Sequence, residues 1–251
     1  MWYNKGIDKS EFDGRIQNMK SYETSNYIFH FQEGSTADRD IMKIAKIQES
    51  CYAYICTMLK TVPDFKIEYF LCETPEEVGR VYGDDDPCNG FTSLPNKIYA
   101  VYNEEVKCIG FHEDAHVVSY LINRPNSRAI REGVAMYFDR KWWSIQNLDW
   151  AGYFIKTGKY ISINKLFDNE VFSSNDCSIT YPIMGAFTEW LISFYGIDKY
   201  LQFYKYEDST AALKLVYNQT VEELNNAFVD YVQLFEIDEV LEQRMEKLAN
   251  S

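Results

Sequence analysis

Long apolar runs are missing from this chain. No stretch of its 251 residues approaches the ~18 uninterrupted apolar positions of a membrane helix, and Met1-Trp2-Tyr3-Asn4-Lys5-Gly6 is not the start of a signal-peptide apolar core. The expectation is a soluble chain, cytoplasmic or else a mature secreted chain whose leader has been removed. Positive charge is also short: 25 Lys+Arg against 38 Asp+Glu give a net charge of −13. That balance excludes wrapping a phosphate backbone or an anionic membrane, so no nucleic-acid partner is expected. The six cysteines form no CxxC pair, which removes the zinc-knuckle class. Cys51 and Cys56 lie about 140° apart around a helix axis and cannot bridge there. Partly buried thiols are expected, and this favours the cytoplasmic alternative. Internal repeats are absent. Histidine is scarcest of all, with three residues, yet two of them stand four positions apart.

At this length one large domain or two lobes can each bury a core. After an N-terminal extension over 1–25, Tyr27-Ile28-Phe29-His30-Phe31 reads as a strand from its aromatic and β-branched content. Ile44, Ile47, Cys51, Ile55 and Met58 make the apolar stripe of a long helix. Residues 66–72 are a second strand. Thr74-Pro75-Glu76-Glu77 then carries a helix start, with Thr as N-cap, Pro at N1 and Glu at N3. Residues 82–96, with Gly83, Asp84-Asp85-Asp86, Gly90 and Pro95, read as a long loop, in which the three aspartates are a solvated turn rather than a calcium loop. Residues 97–102 are a third strand, separated from the next helix by only Asn103-Glu104-Glu105.

Past residue 121 helical periodicity dominates. A helix over 181–195 stops at Gly196, Thr220-Val221-Glu222-Glu223 is a capping box, and a last helix runs to about Leu248. The fold class predicted is α+β: an α/β lobe with a small sheet over 26–121, and an all-helical lobe over 122–251. Such a boundary often marks a cleft.

His112-Glu113-Asp114-Ala115-His116 is an H-E-x-x-H sequence. On a helix, residues four apart lie about 40° apart in azimuth and about 6 Å apart along the axis, so both imidazoles can reach one metal ion. Glu113 lies about 100° from His112, placed to hold a water at the metal without being a ligand. By chance the pattern arises in roughly 1 in 300 chains of this composition, so a third ligand is needed to support it. His30 is far upstream and alternates with Ile28 as a structural strand residue. A carboxylate is left. Glu132, in Arg131-Glu132-Gly133-Val134-Ala135, lies about five residues into a helix beginning near Ser127, and His116 lies about five before Leu121. Each segment therefore travels about 7–8 Å from the turn, and an antiparallel pair brings Glu132 level with His116. Gly133 and Ala135 would permit a close helix contact beside it.

His-Glu-Asp-Ala-His followed by Arg-Glu-Gly-Val-Ala resembles the gluzincin metallopeptidases, the thermolysin-like and peptidase-MA-like group. The resemblance is strongest at 112–135 and extends thinly over 26–235. It implies a zincin-like fold and Zn²⁺ held by His112, His116 and Glu132. It also implies an edge strand at Ile98–Tyr102 that pairs with extended substrate. Tyr181-Pro182-Ile183-Met184-Gly185 resembles the family's tyrosine-plus-small-residue helix, which makes Tyr181 a second catalytic candidate, a donor to the tetrahedral oxyanion. Gly90–Asn96 has no acidic residue of the kind that holds a free α-amine in the group's aminopeptidases. Trp142-Trp143 can line a substrate site or pack a core. The function expected is zinc-dependent hydrolysis of peptide bonds in a peptide or protein, with Glu113 as general base. The alternatives are a non-catalytic descendant that binds a peptide or partner protein, and a zinc hydrolase of a non-peptide amide.

Overall fold

A computed structural model describes residues 19–83 and 86–250. Most of the N-terminal extension, and Asp84 and Asp85 of the acidic turn, lie outside the described residues. The chain is a mixed α/β protein that divides into two compact units, 1–118 and 119–251. Among the described residues no helix is long and apolar enough to cross a membrane. None of the six cysteines forms a disulfide.

The first unit is built on a five-stranded sheet. Its strands are β1 (Lys20–Glu23), β2 (Tyr27–Phe31), β3 (Ile67–Cys72), β4 (Gly90–Ser93) and β5 (Lys97–Val101), in the order β1-β2-β3-β5-β4. β2, β3 and β5 run parallel, and β1 and β4 are antiparallel at the two edges. The long helix α1 (Thr36–Leu59) links β2 to β3, and the short α2 (Pro75–Tyr82) follows β3. On one sheet face Tyr27, Phe29 and Tyr69 pack ring on ring, with centroids 5.1–6.4 Å apart, and Tyr52 of α1 meets Tyr27 edge-on. The opposite face buries Phe70, Cys72, Tyr99 and Val101 with Val78 of α2. The predicted cap of α2 is present: Thr74 Oγ1 accepts from the Glu77 backbone N–H, and a Glu77 carboxylate oxygen accepts from Glu73 N–H.

Several features differ from the sequence expectation, among them a strand, β1, inside the stretch expected as an N-terminal extension over 1–25, and two short strands at 141–142 and 145–146 in the lobe expected as all-helical over 122–251. The strand at 97–101 is not an edge, because residues read as loop form β4 and pair outside it, Gly90 opposite Ala100 and Thr92 opposite Ile98. β4 carries a single large apolar side chain, Phe91, too little for a period-2 signal. Phe91 nevertheless stacks on Tyr99 at 5.1 Å and holds the strand down. The helix expected just after Glu105 begins later: Tyr102 bridges to Lys107, and α3 spans only His112–Ser119.

The second unit is helical apart from the hairpin β6 (Lys141–Trp142) and β7 (Ile145–Gln146). Its helices are α4 (Arg128–Asp139), α5 (Asn147–Thr157), α6 (Ile163–Leu166), α7 (Asn169–Ser174), α8 (Cys177–Tyr195), α9 (Ile197–Tyr204), α10 (Ser209–Tyr217), α11 (Val221–Val232) and α12 (Glu239–Leu248). The capping box at Thr220 is formed. α4 lies so close to α8 that a Cβ on Gly133 would fall 2.6 Å from Thr188 Oγ1 and 3.1 Å from Met184 O. A Cβ on Gly185 would fall 2.7 Å from Met136 Cβ and 2.5 Å from Asn147 Nδ2. One glycine on each helix thus admits the other. The small residue beside Glu132 therefore makes its close contact with α8.

Candidate metal centre

α3 has eight residues, and its two histidines sit one turn apart on it. Their rings lie 5.1 Å apart at 83° to each other, His116 buried and His112 partly exposed. The residues between them face elsewhere. Asp114 and Ala115 are fully buried, and they anchor the helix in the first unit.

Asp114 is the centre of that anchor. Its Oδ2 accepts a hydrogen bond from the Tyr27 hydroxyl and another, of 3.0 Å, from Gln48 Nε2. Burial pushes the Asp114 carboxyl well above the ordinary carboxylate range; the bonds from Tyr27 and Gln48 oppose that rise. Burial and the neighbouring Asp114 together push the Tyr27 hydroxyl up as well. Gln48 also clamps the residue where the chain turns into α3: its Oε1 accepts from Gly110 N–H at 2.7 Å, and its Nε2 reaches Gly110 O at 3.1 Å. Gly110 has φ 130°, a conformation that suits glycine. Gln48 stands four residues after Ile44, on the buried side of α1.

Glu113 faces β4. Thr92 Oγ1 donates to Glu113 Oε2 at 2.7 Å and lies 3.1 Å from the Glu113 backbone oxygen. A sequence reading had no means of finding Thr92, which lay inside a presumed loop.

Glu132 is carried by α4, whose start is tied by side chains rather than by its N-cap Ser127, which makes no capping bond. Asn169 Oδ1 accepts from Arg128 N–H at 2.7 Å, and Arg131 Nη1 donates to Pro125 O and Asn126 O at 2.6 and 3.0 Å. His112, His116 and Glu132 form a group in which one ligand atom from each lies within 4.8 Å of the others, a group that could hold a metal ion. Two imidazoles and a carboxylate are a donor set that suits a first-row divalent metal ion.

Tyr181, on α8, stacks on Phe172 at 5.8 Å and meets Trp142 edge-on at 5.8 Å. It stands one helical turn beyond Cys177, whose thiol is pushed up by burial and by the carboxylates of Asp176 and Glu132. Trp143 meets Trp150 edge-on within the second unit, and His30 lies on the sheet against Phe70, 4.5 Å between rings. Compared with known proteins, the chain matches no family model, and no curated protein matches it.

Proposed function

We propose that the chain is a zinc-dependent peptidase of gluzincin type. The observation that carries this reading is the convergence of His112, His116 and Glu132, with Glu113 between the two histidines in sequence and directed to β4. Zinc in that group would act as a Lewis acid, lowering the pKa of a water and polarising a peptide carbonyl. The residues of the chain supply the rest. His112, His116 and Glu132 hold the metal. Glu113 takes the proton of the attacking water and passes it to the leaving amine. Tyr181 is assigned as hydrogen-bond donor to the developing oxyanion, a role supported by the likeness of its segment to the family's tyrosine-plus-small-residue helix. β4, the outer strand of the sheet, takes over the part of the substrate-pairing edge expected at 98–102. The net charge of −13 suits neutral or basic peptides.

Metal analysis of chain purified without chelator should find one zinc per molecule, and a peptide panel run beside small amides should give turnover on the peptides alone. Glu113→Gln should keep the metal and lose hydrolysis by at least ~10²-fold, the usual share of a positioned base. Undiminished turnover in that variant, or the absence of bound zinc, sinks the assignment.

A further inference from the structure

The edge strand β4 faces the Glu113 carboxylate with two of its residues, both on one side. Gly90 and Thr92 are two residues apart and so share a side of the strand, whereas Phe91 points the other way into Tyr99 and Tyr82. Thr92 Oγ1 donates to Glu113 Oε2 at 2.7 Å. At Gly90 a Cβ would lie 3.4 Å from Glu113 Oε1. One oxygen of the carboxylate is therefore tied, and the other lies beside a position with no side chain.

We infer that Thr92 is a positioning residue for Glu113: its hydroxyl holds Oε2 and so leaves Oε1 as the oxygen that takes a proton. Threonine suits this task because its branched Cβ restricts χ1, so the hydroxyl points in one direction. A strand fixed by its ladder to β5 and by the Phe91–Tyr99 stack is a rigid mount for that hydroxyl. Without the bond, the carboxylate turns about its last torsion, and misplacement on the scale of an ångström is costly in rate. Thr92 need not touch substrate for this, so its removal should appear in kcat and spare KM. The kinetic consequence rests on the peptidase reading; the Thr92–Glu113 link does not.

The test uses the full chain as wild type, Thr92→Val, Thr92→Ser and Glu113→Gln. Val keeps the shape and the strand preference of Thr without the donor, and Ser restores the donor without the methyl. With ¹³Cδ-labelled glutamate, the Glu113 carboxyl resonance is assigned by its loss in Glu113→Gln. The resonance should coincide in wild type and Thr92→Ser and be displaced in Thr92→Val. With zinc loaded and a quenched fluorescent peptide library as substrate, kcat of Thr92→Val should fall about ten- to hundredfold with KM within about twofold. Thr92→Ser should recover most of the rate, and zinc stoichiometry should be equal in wild type and both Thr92 variants. If Val unfolds the chain, Thr92→Ala, which also lacks the donor, takes its place. An unmoved Glu113 resonance in the Val variant overturns the link, as does an unchanged kcat beside an active wild type. If the wild type hydrolyses no peptide, the peptidase reading fails and the resonance comparison alone decides the role of Thr92.

Discussion

At the scale of single residues, the first unit places few charged groups in its interior and gives each a named neighbour. For His30 the neighbours compensate only in part. Its Nε2 lies 3.6 Å from Glu68 Oε2, beyond hydrogen-bond length, while the ring stacks on Phe70. Burial lowers its pKa below the ordinary 6.5, with Lys97 adding to the drop and Glu68 opposing it. The unfolded chain therefore binds the proton first as pH falls. The stability that neutral His30 contributes is complete above about 6.5 and is lost from there down towards the folded pKa. His30→Phe keeps the stack and removes the titration. Urea unfolding at pH 7.5 and 5.5 should show a smaller acid loss in that variant than in wild type. An equal loss in both proteins would assign the acid sensitivity to other groups.

At the scale of elements, the α4–α8 contact sets where Glu132 stands. Gly133→Ala puts a methyl 2.6 Å from Thr188 Oγ1, so the pair must separate or strain, at a cost of about 1–3 kcal/mol in denaturant unfolding. Adding Thr188→Ala removes the struck oxygen, and the double variant should be less destabilised than the two single losses added together. The glycine itself was visible in the sequence as a close-approach residue, but its partner was not. That contrast describes legibility throughout this chain. Thr74 and Thr220 were readable as caps because a cap is written within four consecutive residues. β2 was readable because aromatic and β-branched residues fill five adjacent positions. β4 was not, since its strand character comes from Phe91 lying on Tyr99 and from pairing with β5. In the candidate site, the histidine pair was written in one pentapeptide, and the nearness of Glu132 to it followed from helix arithmetic. Thr92, Tyr27 and Gln48 lie 21, 87 and 66 positions from the residues they hold, Glu113 and Asp114, and no local pattern records such distances.

At the scale of the whole molecule, a metal that binds the folded chain and not the unfolded one raises the unfolding midpoint. Zinc in hundredfold excess over its Kd should add about 2.7 kcal/mol, a shift of several degrees for a protein of this length. Calorimetry with and without zinc should show that shift in wild type and not in His116→Ala or Glu132→Ala; a shift that survives both substitutions would place the zinc elsewhere. Gln48 adds a consequence in time. An eight-residue helix does not hold its own turns in water, so α3 takes its form from the clamp that α1 and β2 provide. A chain made from its N-terminus has Tyr27 and Gln48 in hand well before His112 is added. The two histidines of the candidate group can thus be shaped as they emerge, and Glu132 is the last to arrive.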